Sequence, residues 1–86
     1  MNLLIIGAGG HGKCCYEIAK RMKCFEVVDF VDDHAKHVLD KKVVGTTEQL
    51  KLLHQKYDCA FVAIGNNQVR KEMTELCKQI GYGIST

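Results

Sequence analysis

The sequence predicts an α/β fold in which an open parallel sheet carries helices on both faces, within one small domain. Apolar, strand-like runs alternate along the chain with stretches whose apolar residues recur at helical spacing. The run at residues 59–64 is apolar without polar alternation, as is typical of a central parallel strand covered on both sides. A chain of 86 residues has room for only one core. Alternating elements of this kind favour parallel strands joined by right-handed crossovers.

Strand-forming runs and helix-end signals locate the elements. Thr46 to Gln49 matches a capping box, in which a threonine and a glutamine side chain each bond a backbone N–H of the first turn. Asn66 or Asn67 is placed to cap the last helix, and Gly81 fits the residue that ends it. The predicted strands are at about residues 2–6, 25–31, 41–45 and 59–64, with another beginning at 82–86. The predicted helices are at about residues 11–23, 46–56 and 67–80, and residues 34–40 are expected to form a loop.

Apolar stripes and cysteines indicate the core. The residues expected to face it are Cys14, Cys15, Ile18, Ala19 and Met22 in the first helix, Leu50, Leu53 and Tyr57 around the second, and Val69, Met73, Leu76, Cys77 and Ile80 in the third. The five cysteines are odd in number and lack CxxC spacing, so we predict core thiols with no disulfide and no metal. The histidines show no metal-ligand spacing either.

Composition excludes several classes of function. The chain is 47% hydrophobic and 26% charged with a net charge of +2, which is typical of a globular domain. Because the charge is mild and the basic residues are scattered, we expect neither a nucleic-acid nor a membrane partner. No apolar run approaches the roughly 20 residues that span a bilayer, and the N-terminus lacks a signal-peptide layout. A cytoplasmic location is therefore expected.

The most informative local pattern is a glycine-rich turn after the first strand. The segment GAGGHG fits GxGxxG at Gly7, Gly9 and Gly12. Glycines let a ligand approach the backbone closely, and the first N–H groups of a helix point outward at the positive end of its dipole. Such a turn is a binding site for a diphosphate. The alternative is a strand-to-helix turn in which the glycines only allow tight packing.

Two further loops are predicted beside this turn. Asp32 and Asp33 follow the second strand, and Gly65 and Asn66 follow the central one. Because the carboxyl ends of parallel strands share an edge, the three loops should converge where open sheets bind ligands. Asp32 lies 20 residues after Gly12, near the position of the acidic side chain that binds ribose hydroxyls in dinucleotide sites. The alternatives are a solvated turn for the aspartates and a simple helix cap for Asn66.

His11 is expected in the first turn of the first helix, where it either contacts the ligand or serves only to pack or cap. No nucleophile, general base and orienting group assemble from the sequence. We therefore predict a binding domain with no catalytic residue of its own.

Three segments together resemble a known family: IIGAGGHGK near the N-terminus, FVDD after the second strand and FVAIGNNQVRKE around the last strand-to-helix turn. In order and spacing they are similar to the N-terminal domain of bacterial sugar O- and N-acyltransferases of the sialic acid O-acetyltransferase (NeuD) and bacillosamine-pathway (PglD) type. The resemblance implies a Rossmann-like domain that holds a nucleotide sugar, here a UDP-amino sugar. The substrate-binding residues that it implicates are Gly9, Gly10, His11, Asp32, Asp33, Gly65 and Asn66.

In that family a left-handed β-helix follows, which binds acetyl-CoA, carries the catalytic histidine and forms a trimer. The hexapeptide repeats of that β-helix are absent from this sequence. The resemblance therefore implies that residues 1–86 are the N-terminal part of a longer acetyltransferase. Acetyl-CoA and a homotrimer are expected only of such a parent, and no cofactor is expected on this chain.

Two other functions fit the same residues. The GxGxxG turn and Asp32 would also serve the pyrophosphate and adenosine ribose of a nicotinamide cofactor, in an oxidoreductase or a redox-sensing regulator. A full dinucleotide site uses two mononucleotide halves, however, and this chain is barely longer than one. A ligand-free interaction module would reuse the fold with no small molecule.

Overall fold

The computed structural model describes residues 1–34, 37–38 and 41–84. In chain order its elements are β1 (Asn2–Ile6), α1 (Gly10–Met22), β2 (Val27–Val31), β3 (His37–Val38), β4 (Lys41–Lys42), α2 (Leu50–Leu53), β5 (Cys59–Val62), α3 (Asn67–Ile80) and β6 (Gly83–Ile84). Strands β2, β1, β5 and β6 form a parallel sheet in that spatial order, while β3 and β4 form a separate antiparallel pair. The predicted α/β fold with an open parallel sheet is confirmed.

The strand order changes direction at β1. The chain passes from β1 to β2 on one side and later enters β5 on the other side of β1. Leu3 pairs with Val28 in β2 and with Cys59 in β5, so the carboxyl ends of the three strands reach one edge of the sheet. In open α/β sheets, a ligand crevice forms where the strand order switches in this way. The edge above β1 and β5 is therefore the expected position of a binding site.

Helices cover both faces of the sheet, as predicted. Helix α1 packs on one face, where the ring of Tyr16 lies 5.4 Å from that of Phe30. Helices α2 and α3 pack on the other face, whose buried residues include Leu4, Ile6, Val31, Leu50, Tyr57 and Cys77. Strand β1 is apolar on both sides because each side meets a core. Each large apolar side chain buried in this way stabilises the fold by roughly 1.5–3 kcal/mol.

The predicted capping signals are found at α2 and α3. The Asn66 side-chain oxygen accepts a backbone N–H of the first turn of α3 at 3.0 Å, and Gly81 ends that helix with φ +120°. Gln49 Oε1 accepts the N–H of Thr46 at 2.9 Å, which is the glutamine half of the capping box. A polar side chain and a left-handed glycine thus begin and end α3, and the glutamine bond begins the 3₁₀ turn that leads into α2.

The structure differs from the prediction along the edge beside β2. Residues 37–38 were expected in a loop but form β3, which pairs with β4. The predicted strand at 41–45 is divided, since it continues after β4 only as a single parallel bridge between Gly45 and Val31. Residues 85–86, where the last predicted strand would continue, lie outside the described residues. Two-residue strands have too little pattern for alternation to reveal them.

Helix α2 is shorter than predicted. A 3₁₀ turn at Thr47–Gln49 precedes it, and residues 54–56 form turns rather than helix. The inward residues are nevertheless the predicted ones: Leu50 and Tyr57 are each 1% exposed, and Leu53 packs on the same core. The apolar spacing identified the residues that face the core, although their backbone hydrogen bonding is not that of a regular α-helix.

The other two predicted stripes are only partly buried. Helix α1 faces the sheet through Cys15, Tyr16 and Ala19. The exposed members of the predicted stripes are Cys14, Ile18, Met22, Val69 and Leu76. The stripe on α1 is wider than the contact that α1 makes with the strands, so its remaining residues line a surface groove.

The prediction that the cysteines are core residues is confirmed for Cys59 and Cys77 and wrong for Cys14 and Cys24, which are exposed. Burial raises the pKa of the Cys77 thiol to about 11, so this thiol is protonated at neutral pH. All five cysteines are free thiols. Residue type gives a preference for burial, but the position of each cysteine in the fold decides it.

Two buried tyrosines join elements on the α2 face through their hydroxyl groups. The Tyr57 hydroxyl donates to the carboxylate of Asp29 on β2, and the Tyr82 hydroxyl donates to the Leu50 carbonyl at 2.6 Å. Burial is the largest cause that raises the pKa of Tyr82, to about 12. Burial also raises the pKa of Tyr57, and the hydrogen bond to Asp29 adds to the rise.

We expect the free energy of unfolding to fall as the pH rises above about 10, the ordinary tyrosine pKa. Unfolded phenols ionise there while the folded ones stay protonated, so unfolding releases protons and alkali favours it. This stabilisation is complete below the unfolded pKa and is lost as the pH approaches the folded value of about 12. Urea unfolding across this pH range should show a shallower decline for Tyr82→Phe than for wild type. Tyr16→Phe is the control, and a decline equally steep in all three proteins would contradict the assignment.

Candidate functional site

The three loops predicted to converge do so at the carboxyl edge of the sheet. The glycine turn follows β1, Asp32 and Asp33 follow β2, and Gly65 and Asn66 follow β5. Hydrogen bonds connect the first two loops, because the N–H of Ala8 donates to Asp32 Oδ2 at 2.8 Å. The sequence therefore identified loops that share one edge, centred on the switch between β1 and β5.

Two glycines of the turn are required by the packing of the chain itself. Gly7 has φ +110°, and a Cβ there would stand 2.6 Å from the Ala63 carbonyl oxygen of the segment after β5. A Cβ on Gly12 would overlap the Gly7 carbonyl oxygen. These two positions bring the start of α1 against the ends of β1 and β5. The packing interpretation is correct for them.

At three other positions of this edge, no packing contact of this kind explains why the residue is glycine. A Cβ built on Gly9, Gly10 or Gly65 meets no described heavy atom within 4 Å. None of the three has a positive φ, and Gly10 is the first residue of α1. A side chain at these positions would extend into open space above the switch point. The fold itself does not require glycine there.

The N-terminus of α1 presents backbone donors to the same space. Gly9, its N-cap residue, provides no side-chain cap, and the first turn contains no acidic residue. The first intrahelical bond runs from the Lys13 N–H to the Gly9 carbonyl at 3.1 Å, so the preceding amides have no acceptor within the helix. The positive end of the helix dipole and these donors together favour an anion.

Across the switch point, α3 begins with its own side chains engaged. Asn66 caps the helix, as the alternative to ligand binding predicted. Asn67 Oδ1 accepts a bond of 2.6 Å from the guanidinium of Arg70. Arg70 was not among the predicted site residues, and its spacing of three from Asn67 on a helix was the available signal. It adds a positive charge beside the N-terminus of α3.

Both predicted carboxylates are occupied by bonds within the chain. Besides the Ala8 amide, Asp32 accepts the N–H of His34 at 2.8 Å. Asp33 accepts the N–H of Thr47 at 2.8 Å and also the Thr47 hydroxyl at 2.9 Å. Asp32 therefore joins the glycine turn to the end of β2, and Asp33 joins that end to the 3₁₀ turn before α2. Neither behaves as a purely solvated turn residue.

His11 is exposed on the first turn of α1, and its ring centroid lies 6.4 Å from that of Phe61 on β5. Both rings line an apolar groove of about 280 Å³ that runs beside α1 as far as Met22 and Phe25. His11 thus lies between the amides of the helix N-terminus and this groove. Its exposed ring is therefore next to both the glycine turn and the groove.

Within the residues that the structure describes, no three His, Cys, Asp or Glu side chains group as a metal site. No helix in this part of the chain has the length and apolar character needed to cross a membrane. What the described edge presents is the uncapped backbone N–H groups at the start of α1, with His11 and Arg70 among the side chains around them.

The strand order and the helices on both faces define a Rossmann-like α/β domain. Residues 2–76 match the family described as the PglD N-terminal domain. The chain therefore belongs to the PglD N-terminal domain family.

Solved structures agree with this assignment. The acetyltransferase domain of PglB from Neisseria gonorrhoeae, in complex with acetyl coenzyme A, is 35% identical with a TM-score of 0.85, over 94% of this chain and 40% of that one. A mutant of perosamine N-acetyltransferase from Caulobacter crescentus, in complex with CoA and GDP-perosamine, is 33% identical with a TM-score of 0.83, over 95% and 40%. The chain thus spans about two fifths of the length of these acetyltransferases.

A dehydrogenase shares the fold. UDP-D-quinovosamine 4-dehydrogenase from Vibrio fischeri matches 96% of this chain and 74% of its own with a TM-score of 0.77, but at 21% identity. At that identity the likeness shows the fold alone.

The two kinds of glycine should separate in stability measurements. We expect Gly12→Ala to lower the free energy of unfolding by at least about 2 kcal/mol, because its Cβ would overlap a backbone carbonyl that cannot move away without disturbing β1. Gly10→Ala should stay within about 0.5 kcal/mol of wild type or exceed it, because its Cβ meets open space at a helical position. Thermal melts followed by circular dichroism measure both. Equal destabilisation by the two substitutions would contradict the division.

Proposed function

We propose that this chain binds a nucleotide sugar and is the substrate-binding domain of an acetyl-CoA-dependent sugar acetyltransferase. In this proposal the diphosphate lies on the N-terminus of α1, and the nucleoside and sugar lie over the flanking loops. The proposed site residues are Gly9, Gly10, His11, Asp32, Asp33, Gly65 and Asn66. The chain supplies binding and orientation, and the acetyl transfer itself takes place on groups outside it.

The observation that carries the proposal is the open space at Gly9, Gly10 and Gly65. The turn contains glycines where its own packing needs them, at Gly7 and Gly12, and also where no described neighbour needs them. The second group surrounds the edge at which parallel sheets bind ligands. A ligand that approaches the backbone closely accounts for their lack of side chains.

Charge at the edge supports a diphosphate. The amides at the start of α1 and the positive end of its dipole face the space above these glycines. Arg70 lies on the opposite side, at the start of α3. The carboxylates of Asp32 and Asp33 are engaged by amide and hydroxyl donors, which offset part of their negative charge.

The related acetyltransferases support the assignment to acetyl transfer. Two of them are recorded with CoA or acetyl coenzyme A, and one of these also with GDP-perosamine. Because the chain spans two fifths of their length, we propose that acetyl-CoA, the catalytic histidine and trimer contacts belong to a β-helical part of a longer parent protein. His11 has a binding role in this account and is not the catalytic base.

We propose a UDP-linked amino sugar as the ligand, and GDP-linked sugars are the comparison that the perosamine enzyme suggests. Calorimetric titration of the purified chain with UDP-N-acetylglucosamine, GDP-mannose and NADH tests the ligand class. We expect the UDP-sugar to bind most tightly and NADH not to bind, because the sheet is barely larger than one mononucleotide half. Tighter binding of GDP-mannose would show that the nucleobase is guanine, and the ligand class would still be a nucleotide sugar. Tighter binding of NADH than of either sugar would overturn the proposal.

Gly10→Val tests the phosphate position. The valine side chain would occupy the open space above the first turn of α1, so UDP-N-acetylglucosamine should bind at least about tenfold more weakly, a change of about 1.4 kcal/mol. The fold should survive because Gly10 lies in the first turn of α1 and a Cβ there meets no described heavy atom within 4 Å. Glu17→Val, on the exposed side of the same helix, controls for a β-branched residue in α1 and should bind as wild type does. Wild-type affinity in a folded Gly10→Val protein would place the diphosphate elsewhere.

A further inference from the structure

The carboxylate of Asp32 makes bonds that hold the glycine turn rather than bonds to a solvated surface. Its Oδ2 atom accepts the N–H of Ala8 at 2.8 Å, and its Oδ1 atom accepts the N–H of His34 at 2.8 Å. The side chain is half-buried, and the Ala8 bond joins residues 24 positions apart in the sequence. The local bond to His34, two residues on, fixes the orientation of the carboxylate. A single side chain thus fixes the end of β2 relative to the turn after β1.

The bond to Ala8 continues a row of backbone bonds from β2 to the turn. The preceding amide, that of Gly7, donates to the Val31 carbonyl at 2.7 Å. Two consecutive amides of the turn are therefore held by two consecutive residues of β2 and the loop after it. The amides of α1 that have no acceptor within the helix begin two residues further along. The bond from Ala8 to Asp32 is therefore the last one that fixes the turn to β2 and its loop. The N–H groups proposed to bind the ligand follow it, at the start of α1.

We propose that Asp32 is a positioning residue of this site. Its carboxylate holds the glycine turn in the conformation that binds the diphosphate, and it does not hydrogen-bond the ribose hydroxyls. The proposal rests on the proposed function for the identity of the ligand. Its structural half, the Ala8 bond, holds whether or not a nucleotide sugar binds.

The direction in which Asp32→Asn changes ligand affinity distinguishes a positioning role from a purely electrostatic one. A negative charge beside a diphosphate repels it, so removing the charge alone would tighten binding. Asparagine has one acceptor oxygen where aspartate has two, and its NH₂ group would face one of the two backbone N–H donors. The variant therefore loses one of the bonds that hold the turn. Weaker binding in spite of the lost negative charge is the signature of positioning.

The ligand series separates positioning from direct contact with the ribose. Calorimetry on wild type and Asp32→Asn would use inorganic pyrophosphate, UDP and 2′,3′-dideoxy-UDP. We expect the variant to bind all three more weakly by a similar factor, about tenfold for loss of one charge-assisted bond. Loss confined to UDP, with the dideoxy nucleotide and pyrophosphate unaffected, would show direct reading of the hydroxyls and overturn the proposal. Tighter binding of all three would show a charge effect only and would also overturn it.

Asp58→Asn is the matched control. Asp58 also accepts one backbone N–H through its carboxylate, that of Asn2 at 2.9 Å, but at the amino ends of β1 and β5. The Asp58→Asn variant removes the same negative charge and a similar hydrogen bond, but at the opposite edge of the sheet. Its affinity for pyrophosphate should be within about twofold of wild type, a difference of less than 0.5 kcal/mol. A loss equal to that in Asp32→Asn would mean that general destabilisation causes both.

Amide hydrogen exchange tests the structural half on the wild-type chain alone. The Ala8 amide should exchange slowly without ligand and stay equally protected when pyrophosphate is added, because Asp32 already holds it. An unprotected Ala8 amide in the free protein would overturn the proposal even if Asp32→Asn does not fold. Failure of wild type to bind pyrophosphate or any nucleotide, with Ala8 protected, would instead reject the proposed function.

Discussion

The close approach between the glycine turn and the end of β5 is the constraint on which the rest of the site depends. Gly7 packs against the Ala63 carbonyl, and Gly12 packs against the Gly7 carbonyl. At either position a Cβ would overlap the carbonyl oxygen. Because both contacts are backbone to backbone, they fix the direction of α1 as well as its position. The N-terminus of α1 consequently lies over the switch between β1 and β5, where its dipole and donors face outward.

Most of the proposed binding surface is backbone, held in place by side chains that bond to the chain itself. The polar residues predicted to contact a ligand largely bond the chain itself: Asp32 the glycine turn, Asp33 the 3₁₀ turn before α2, and Asn66 the start of α3. Open glycines and amides recognise a diphosphate without distinguishing what is attached to it. Discrimination between sugars would then fall to exposed side chains at the rim, such as His11 and Arg70.

The sequence was sufficient for the fold class, the main strands and helices, and the convergence of three loops at one edge of the sheet. Helix caps at Asn66 and Gly81 and the apolar strands are local signals, and they were read correctly. The sequence could not distinguish the glycines required by packing from those beside open space, because a GxGxxG pattern does not show which Cβ would overlap a carbonyl. It also could not reveal the partners of Asp32 and Asp33, since Ala8 and Thr47 reach them only through tertiary contacts. The exposure of Cys14 and Ile18 depends on how wide a face of α1 the strands cover, which periodicity does not report.

The central claim is that the ligand lies on the start of α1 above the switch point. Two-dimensional ¹H–¹⁵N NMR during titration with UDP-N-acetylglucosamine tests it most directly, because each backbone amide reports separately. The account predicts that the largest shifts fall on the amides of Gly10, His11 and Gly12, followed by Gly65, while amides at the amino ends of the strands do not move. Shifts confined to the groove residues Ile18 and Met22, or no shifts at saturating ligand, would contradict it.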